Sequence, residues 1–180
     1  MRRLWIPIAA SVVLAACGGG GDRTAPTTTT TAVAAGAPTS TAQPAIEGVR
    51  TFAVGEATHT LASVTYPQVP PVGGPHHPAA VRCGYYNEPV PTEGAVHSLE
   101  HGAIWVTYRP DLEPAEIRVL ADLARSRGSV LVSPWAEGLP APVVASAWGL
   151  QLQLQSPRDP RLGQFVDAYA NQGPERNIGC

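Results

Sequence analysis

"AIWVTYRPDLEPAEIRVLADLARSRGSVLVSP", residues 103–134, decides the fold. It opens with Ala103 to Tyr108, a run of β-branched and aromatic residues of the kind that strands favour. Glu113 to Arg127 follows, with Pro114 in its first turn and Gly128 just past its end, which is the punctuation of a helix. Within it Ile117, Leu120, Ala121 and Ala124 recur at helical spacing with Leu123 alongside, so one face is apolar. Ser129 to Ser133 is a second strand. A helix with one apolar face, flanked by strands, needs a sheet to cover.

The chain on either side supplies that sheet. Val143 to Trp148 reads as a further strand. Leu150 to Leu154, "LQLQL", alternates strictly, which predicts one buried face and one wet face. Asp159 to about Asn171 is a second helix: an Asp cap, then Pro160, then Leu162, Phe165, Val166 and Tyr169 at i, i+3, i+4, i+7. Upstream, Val49 to Val54 and Thr58 to Tyr66 add strands. Between Tyr66 and His97 lies a long Pro/Gly-rich stretch without periodicity, and ordered loops of such length usually carry function. The expected fold is α+β: a mostly antiparallel sheet, two amphipathic helices packed on one face, and a long Pro/Gly-rich loop.

The N-terminal region is of another kind. A basic Met1-Arg2-Arg3 and an apolar run from Leu4 to Ala16 form a secretory signal, residues 1–16, too short to span a bilayer comfortably. Leu14-Ala15-Ala16-Cys17 has the form of a lipobox, in which Cys17 becomes the lipidated first residue. Residues 17–45 are mostly Gly, Thr, Ala and Pro, with Thr27 to Thr31 in a row. Such a segment buries too little to offset its ordering entropy, so it is a disordered tether. Residues 46–180 then form a single globular domain on the extracytoplasmic face of the cell membrane, held there by the lipid anchor.

Charge and cysteines narrow the partners. The chain has no lysine; without Arg2 and Arg3, ten arginines face fourteen acidic residues, a formal charge of −4. A mildly acidic domain without a basic cluster argues against nucleic acid. With Cys17 lipidated, Cys83 and Cys180 remain, and a cysteine pair in an oxidising compartment is expected as a disulfide.

All five histidines, His59, His76, His77, His97 and His101, fall between residues 59 and 101. "VHSLEHG", residues 96–102, holds two of them. As a single helical turn leading into the strand at Ala103, it puts His97 and His101 on one face with Glu100 beside them. Glu100 would serve as a ligand, as an outer partner orienting an imidazole, or as a general base. His76 or His77 offers a third ligand and His59 a fourth. Imidazole with carboxylate suits Zn(II) or Cu(II), and after the signal no methionine is left for Cu(I). The pattern His-x-x-Glu-His also matches an inverted zinc-protease motif, but here Gly102 and a strand follow at once, so the long helix of those enzymes is missing. The same residues would equally make a hydrogen-bonded loop without metal.

Two stretches, "YPQVPPVGGPHHPAAVRCGYYNEPVPTEGAVHSLEHGAIWVTYRPDL" (66–112) and "SPWAEGLPAPVVASAWG" (133–149), resemble the domain-of-unknown-function 3105 family over about residues 57–170. Pro70, Pro71, Gly74 and His76 match its first element, and Gly84 and Tyr86 its second. His97, Leu99, Glu100, His101 and Gly102 match its third; Ala147, Trp148 and Gly149 match its last. The resemblance favours His76 over His77 and, with the lysine-free composition, implies an actinobacterial lipoprotein. It implies no activity. The expectation is therefore a lipoprotein binding a divalent metal through His76, His97, His101, His59 and Glu100. The alternatives are a non-metal ligand or protein-interaction module, and a small zinc-dependent hydrolase.

Overall fold

The computed structural model describes residues 45–136, 138–175, 178 and 180. Its elements run β1 (Val49–Thr51), β2 (Gly84–Tyr85), α1 (Thr92–Glu100), β3 (Ile104–Tyr108), α2 (Pro114–Ser126), β4 (Val130–Pro134), β5 (Val143–Ala147), β6 (Leu150–Leu154) and α3 (Pro160–Tyr169). The expected signal, Cys17 and nearly all of the tether lie outside the described residues. Among the described residues no helix is long and apolar enough to cross a membrane.

The stretch that decides the fold does so through β3, α2 and β4. A thirteen-residue helix between two strands returns the chain to its starting edge, so β3 and β4 pair in parallel, Ile104 opposite Val130 and Tyr108 opposite Pro134. β5 and β6 form a hairpin whose tight turn forces the antiparallel pairing, and β5 lies antiparallel to β3 on its other side. The sheet order is β1-β6-β5-β3-β4-β2. It is mixed rather than mostly antiparallel, because β2 also joins β4 in parallel. Thr58–Tyr66 forms no strand; its one ladder contact is an isolated bridge between His59 and His76.

The two helices read from the sequence share one face. Leu120 and Ala124 of α2, and Leu162, Phe165 and Val166 of α3, pack on Ile104, Val106, Val130, Val132, Ala145 and Leu152. Asp159 caps α3, accepting from the Arg161 N–H at 3.0 Å, and its carboxylate also holds the Arg161 guanidinium.

A third helix, α1, covers the opposite face, with Ala95 and Leu99 against Trp105 and Leu131. Its amphipathic pattern is absent for a physical reason. Every residue from Gly94 to Glu100 is buried, so no wet face exists to alternate with the apolar one. The same enclosure corrects the reading of β6. Gln151 is buried rather than wet, because the Pro/Gly-rich loop lies over it and its side-chain amide donates to the Pro70 carbonyl at 3.0 Å.

That loop is fastened at several points. The Gly149 N–H donates to the Val72 carbonyl at 2.7 Å. Gly73 (φ +143°) sits so close to Val54 and Trp148 that a Cβ there would lie 2.6 Å from the Val54 side chain. Ser98 of α1 donates its hydroxyl to the Val81 carbonyl at 2.6 Å. Cys83 and Cys180 are joined, with Cα atoms 5.1 Å apart, within the range a disulfide spans.

Candidate metal centre

The site is built where α1 meets the loop. His97 and Glu100 are i, i+3 on α1, so both side chains leave the same side of the helix. The helix stops directly afterwards: Gly102, at φ +90°, takes the left-handed conformation, and its N–H donates to the Leu99 carbonyl at 2.9 Å. His76 comes from the loop. Its N–H donates to the Thr58 carbonyl at 2.9 Å, and its carbonyl accepts from the Thr60 N–H at 2.8 Å, which sets His59 beside it.

The imidazole tautomers follow from the backbone. His76 Nδ1 lies 2.8 Å from the Gly74 carbonyl, and His97 Nδ1 lies 2.8 Å from the His77 carbonyl. A carbonyl only accepts, so each Nδ1 carries a hydrogen, and each neutral ring then presents a lone pair at Nε2. This is the arrangement by which outer partners orient metal-binding histidines. The His76 and His97 Nε2 atoms stand 3.0 Å and 3.9 Å from Glu100 Oε2.

The ring of His59 lies 5.1 Å from that of His76 and 4.9 Å from that of His97, with 4.8 Å between His76 and His97, centroid to centroid. One nitrogen from each of His59, His76 and His97 and one oxygen of Glu100 all lie within 4.8 Å of one another, a group that could hold a metal ion. Three of the four are buried and His59 is exposed, so the group opens to solvent on the His59 side. The edge of the Trp148 ring system borders His76, with centroids 6.1 Å apart.

Polar satisfaction is incomplete here in a telling way. His76 is fully buried and Glu100 is 4 % exposed, yet neither His76 Nε2 nor Glu100 Oε2 has a hydrogen-bond partner, despite their 3.0 Å approach. Two buried acceptors facing each other repel unless a cation or a shared proton lies between them.

Burial also lowers the His97 pKa from its ordinary 6.5; the hydrogen bond to the His77 carbonyl opposes this, and the neighbouring His101, His76 and His59 reinforce it. Neutral imidazole is the form that binds metal. Because His97 is harder to protonate folded than unfolded, the unfolded chain takes up the extra proton as pH falls through 6.5, and the metal-free fold loses stability. Urea denaturation in chelator should give a smaller unfolding free energy at about pH 5.5 than at about pH 7.5, with the gap narrowed in His97→Gln. A gap that His97→Gln leaves unchanged would remove His97 as its source.

The remaining histidines separate from this group. His77 turns back into its own loop, its Nδ1 accepting from the Ala79 N–H at 3.0 Å. His101 has its ring 4.5 Å from that of His97, but its ligand nitrogen falls in a second group, with Glu100 and Glu175. The His101 Nε2 to Glu175 Oε2 distance is 3.5 Å. Glu175 has no local sequence signature; no periodicity or spacing links it to residue 101. "HSLEH" also proves to be the end of a nine-residue helix rather than a lone turn.

An α+β domain with a largely buried three-histidine, one-carboxylate cluster on a short helix and a strapped loop is the class that fold and site define. The chain belongs to the family described as "Protein of unknown function (DUF3105)", whose model matches residues 58–180 and so includes every member of both groups. No curated protein and no solved structure matches it.

Proposed function

We propose that this protein is a lipid-anchored extracytoplasmic protein that binds one divalent metal ion, Zn(II) or Cu(II), through His59, His76, His97 and Glu100. The observation that carries the reading is the buried, unpartnered pair of His76 Nε2 and Glu100 Oε2. An ion between them would satisfy both atoms at once and take the two further imidazoles as ligands. Three neutral imidazoles and one carboxylate would reduce a dication to a single net positive charge, a donor set that borderline ions accept. The backbone carbonyls of Gly74 and His77 supply the outer hydrogen bonds that hold two of the rings in place.

The protein, stripped by chelator and reloaded, should retain Zn or Cu by elemental analysis, and the His76→Ala/His97→Ala variant should retain none at this site. A wild-type chain that comes through desalting without metal would sink the proposal. The anchor rests on Leu14-Ala15-Ala16-Cys17. The wild-type chain should sediment with membranes and Cys17→Ala should not; equal sedimentation of both would count against lipidation.

A further inference from the structure

Resting on the metal reading above, we infer that the cluster holds a second divalent cation, bound by His101 and Glu175 and sharing Glu100 with the first. One oxygen of Glu100, His101 Nε2 or Nδ1 and one oxygen of Glu175 lie within 4.8 Å of one another, and Glu100 is also a member of the first group. A carboxylate has two oxygens, each with lone pairs, so one residue can serve both ions.

The second group is placed by the chain that follows α3. After α3 the chain bends at Asn171, in the left-handed conformation at φ 61°, and lies back across the end of α1. The Asn171 N–H donates to the Gly102 carbonyl at 2.7 Å, and the Glu175 N–H donates to the Glu100 carbonyl at 3.0 Å. Between them Gly173 runs so close that a Cβ there would lie 2.1 Å from the Glu100 carbonyl oxygen. No other residue fits at that position. The tail is thus pressed onto the residue that both groups share, and this sets the Glu175 carboxylate 3.5 Å from His101 Nε2.

The electrostatics at that point call for a cation. The C-terminal end of α1 carries the negative pole of the helix. Two carboxylates, Glu100 and Glu175, converge on it; His101 stands beside Glu175, while the His76 and His97 imidazoles face Glu100 from the first group. Glu100 is 4 % exposed, so solvent does little to offset its charge. Two carboxylates and one imidazole form a harder donor set than the first group, suited to a first-row dication such as Zn(II) or Mn(II). His101 and Glu175 are the more accessible pair, with side-chain exposures of 13 % and 48 %.

The test is metal stoichiometry, with Zn(II) alone as the probe. The full chain and its Glu175→Gln variant are dialysed to equilibrium against the same buffered free Zn(II), and bound metal is measured per chain. Glu175→Gln keeps the backbone N–H that pins the tail and alters a half-exposed side chain, so folding is not at stake; circular dichroism verifies it. The expected result is two ions per wild-type chain and one in Glu175→Gln, a twofold loss. One ion in both proteins overturns the second site and leaves the first intact. Two ions in both also overturns it, since Glu175 would then contribute nothing. No ion in either removes the metal reading itself, and this inference with it.

Discussion

Zn(II) at a hundredfold excess over its dissociation constant should raise the melting temperature of the wild-type protein by about 8 °C, and Glu100→Gln should abolish the shift. A ligand that binds only the folded state at that excess stabilises it by about 2.7 kcal/mol. At this domain size each kcal/mol moves the midpoint by roughly 3 °C. The metal-free arm of the experiment is the more discriminating. If Glu100 and His76 were an ion pair evolved for stability, replacing one partner in so buried a place would cost about 3–5 kcal/mol. If they are two ligands awaiting an ion, Glu100→Gln replaces a buried, unpaired carboxylate with an amide. The amide N–H₂ can donate to the His76 Nε2 lone pair, 3.0 Å from the present carboxylate oxygen, a hydrogen bond worth about 1 kcal/mol. In chelator the variant should therefore be at least as stable as wild type. A severe loss of stability in chelator, together with no Zn-dependent shift in wild type, would establish the ion pair instead.

Removing the disulfide should have the next largest effect. Cys83 and Cys180 are 97 residues apart in sequence. In the loop-entropy model a cross-link of that length stabilises the folded state by about 4–5 kcal/mol. Natural domains have about 5–15 kcal/mol in all, so the double substitution Cys83→Ser/Cys180→Ser should remove about a quarter or more of the total. The effect should also be local. Cys83 immediately precedes β2 on the sheet edge, in the loop that carries His76, while Cys180 ends the tail that carries Glu175. Freed of the bridge, both should exchange amide hydrogens faster than α2 and α3, which pack on the far face. An unfolding free energy from urea denaturation within about 1 kcal/mol of wild type would mean that the long loop is held by its hydrogen bonds alone.

Legibility varied with solvent exposure. α2 and α3 lie on the surface with one face in water, so their sequences had to alternate, and Leu120, Ala124, Phe165 and Val166 are the buried residues that periodicity indicates. α1 is enclosed on every side from Gly94 onward, so Gly94, His97, Ser98 and Glu100 are buried along with the apolar Ala95, Val96 and Leu99. Ala95 and Leu99 face the sheet, but with polar residues buried on the other sides no wet face sets that apolar side off. Gln151 shows the same limit in a strand: "LQLQL" looks wet on one face until the loop at Pro70 closes over it.

By itself the sequence determined the surface helices, the strands between them, the pair of cysteines and a short list of side chains of metal-ligating type, dense enough to stand out. Local spacing sufficed for these, because amphipathic faces and ligand residues must be written into the chain at regular or crowded positions. Only the tertiary structure decided which of these side chains meet. His59 and His76 are brought together by one isolated bridge, and the Nδ1 hydrogens of His76 and His97 are committed by carbonyls from elsewhere in the loop. Glu175 reaches His101 across 74 residues of sequence because a tail with glycine at position 173 presses against the end of α1. Such contacts depend on where the backbone returns, and no residue pattern along the chain encodes that return.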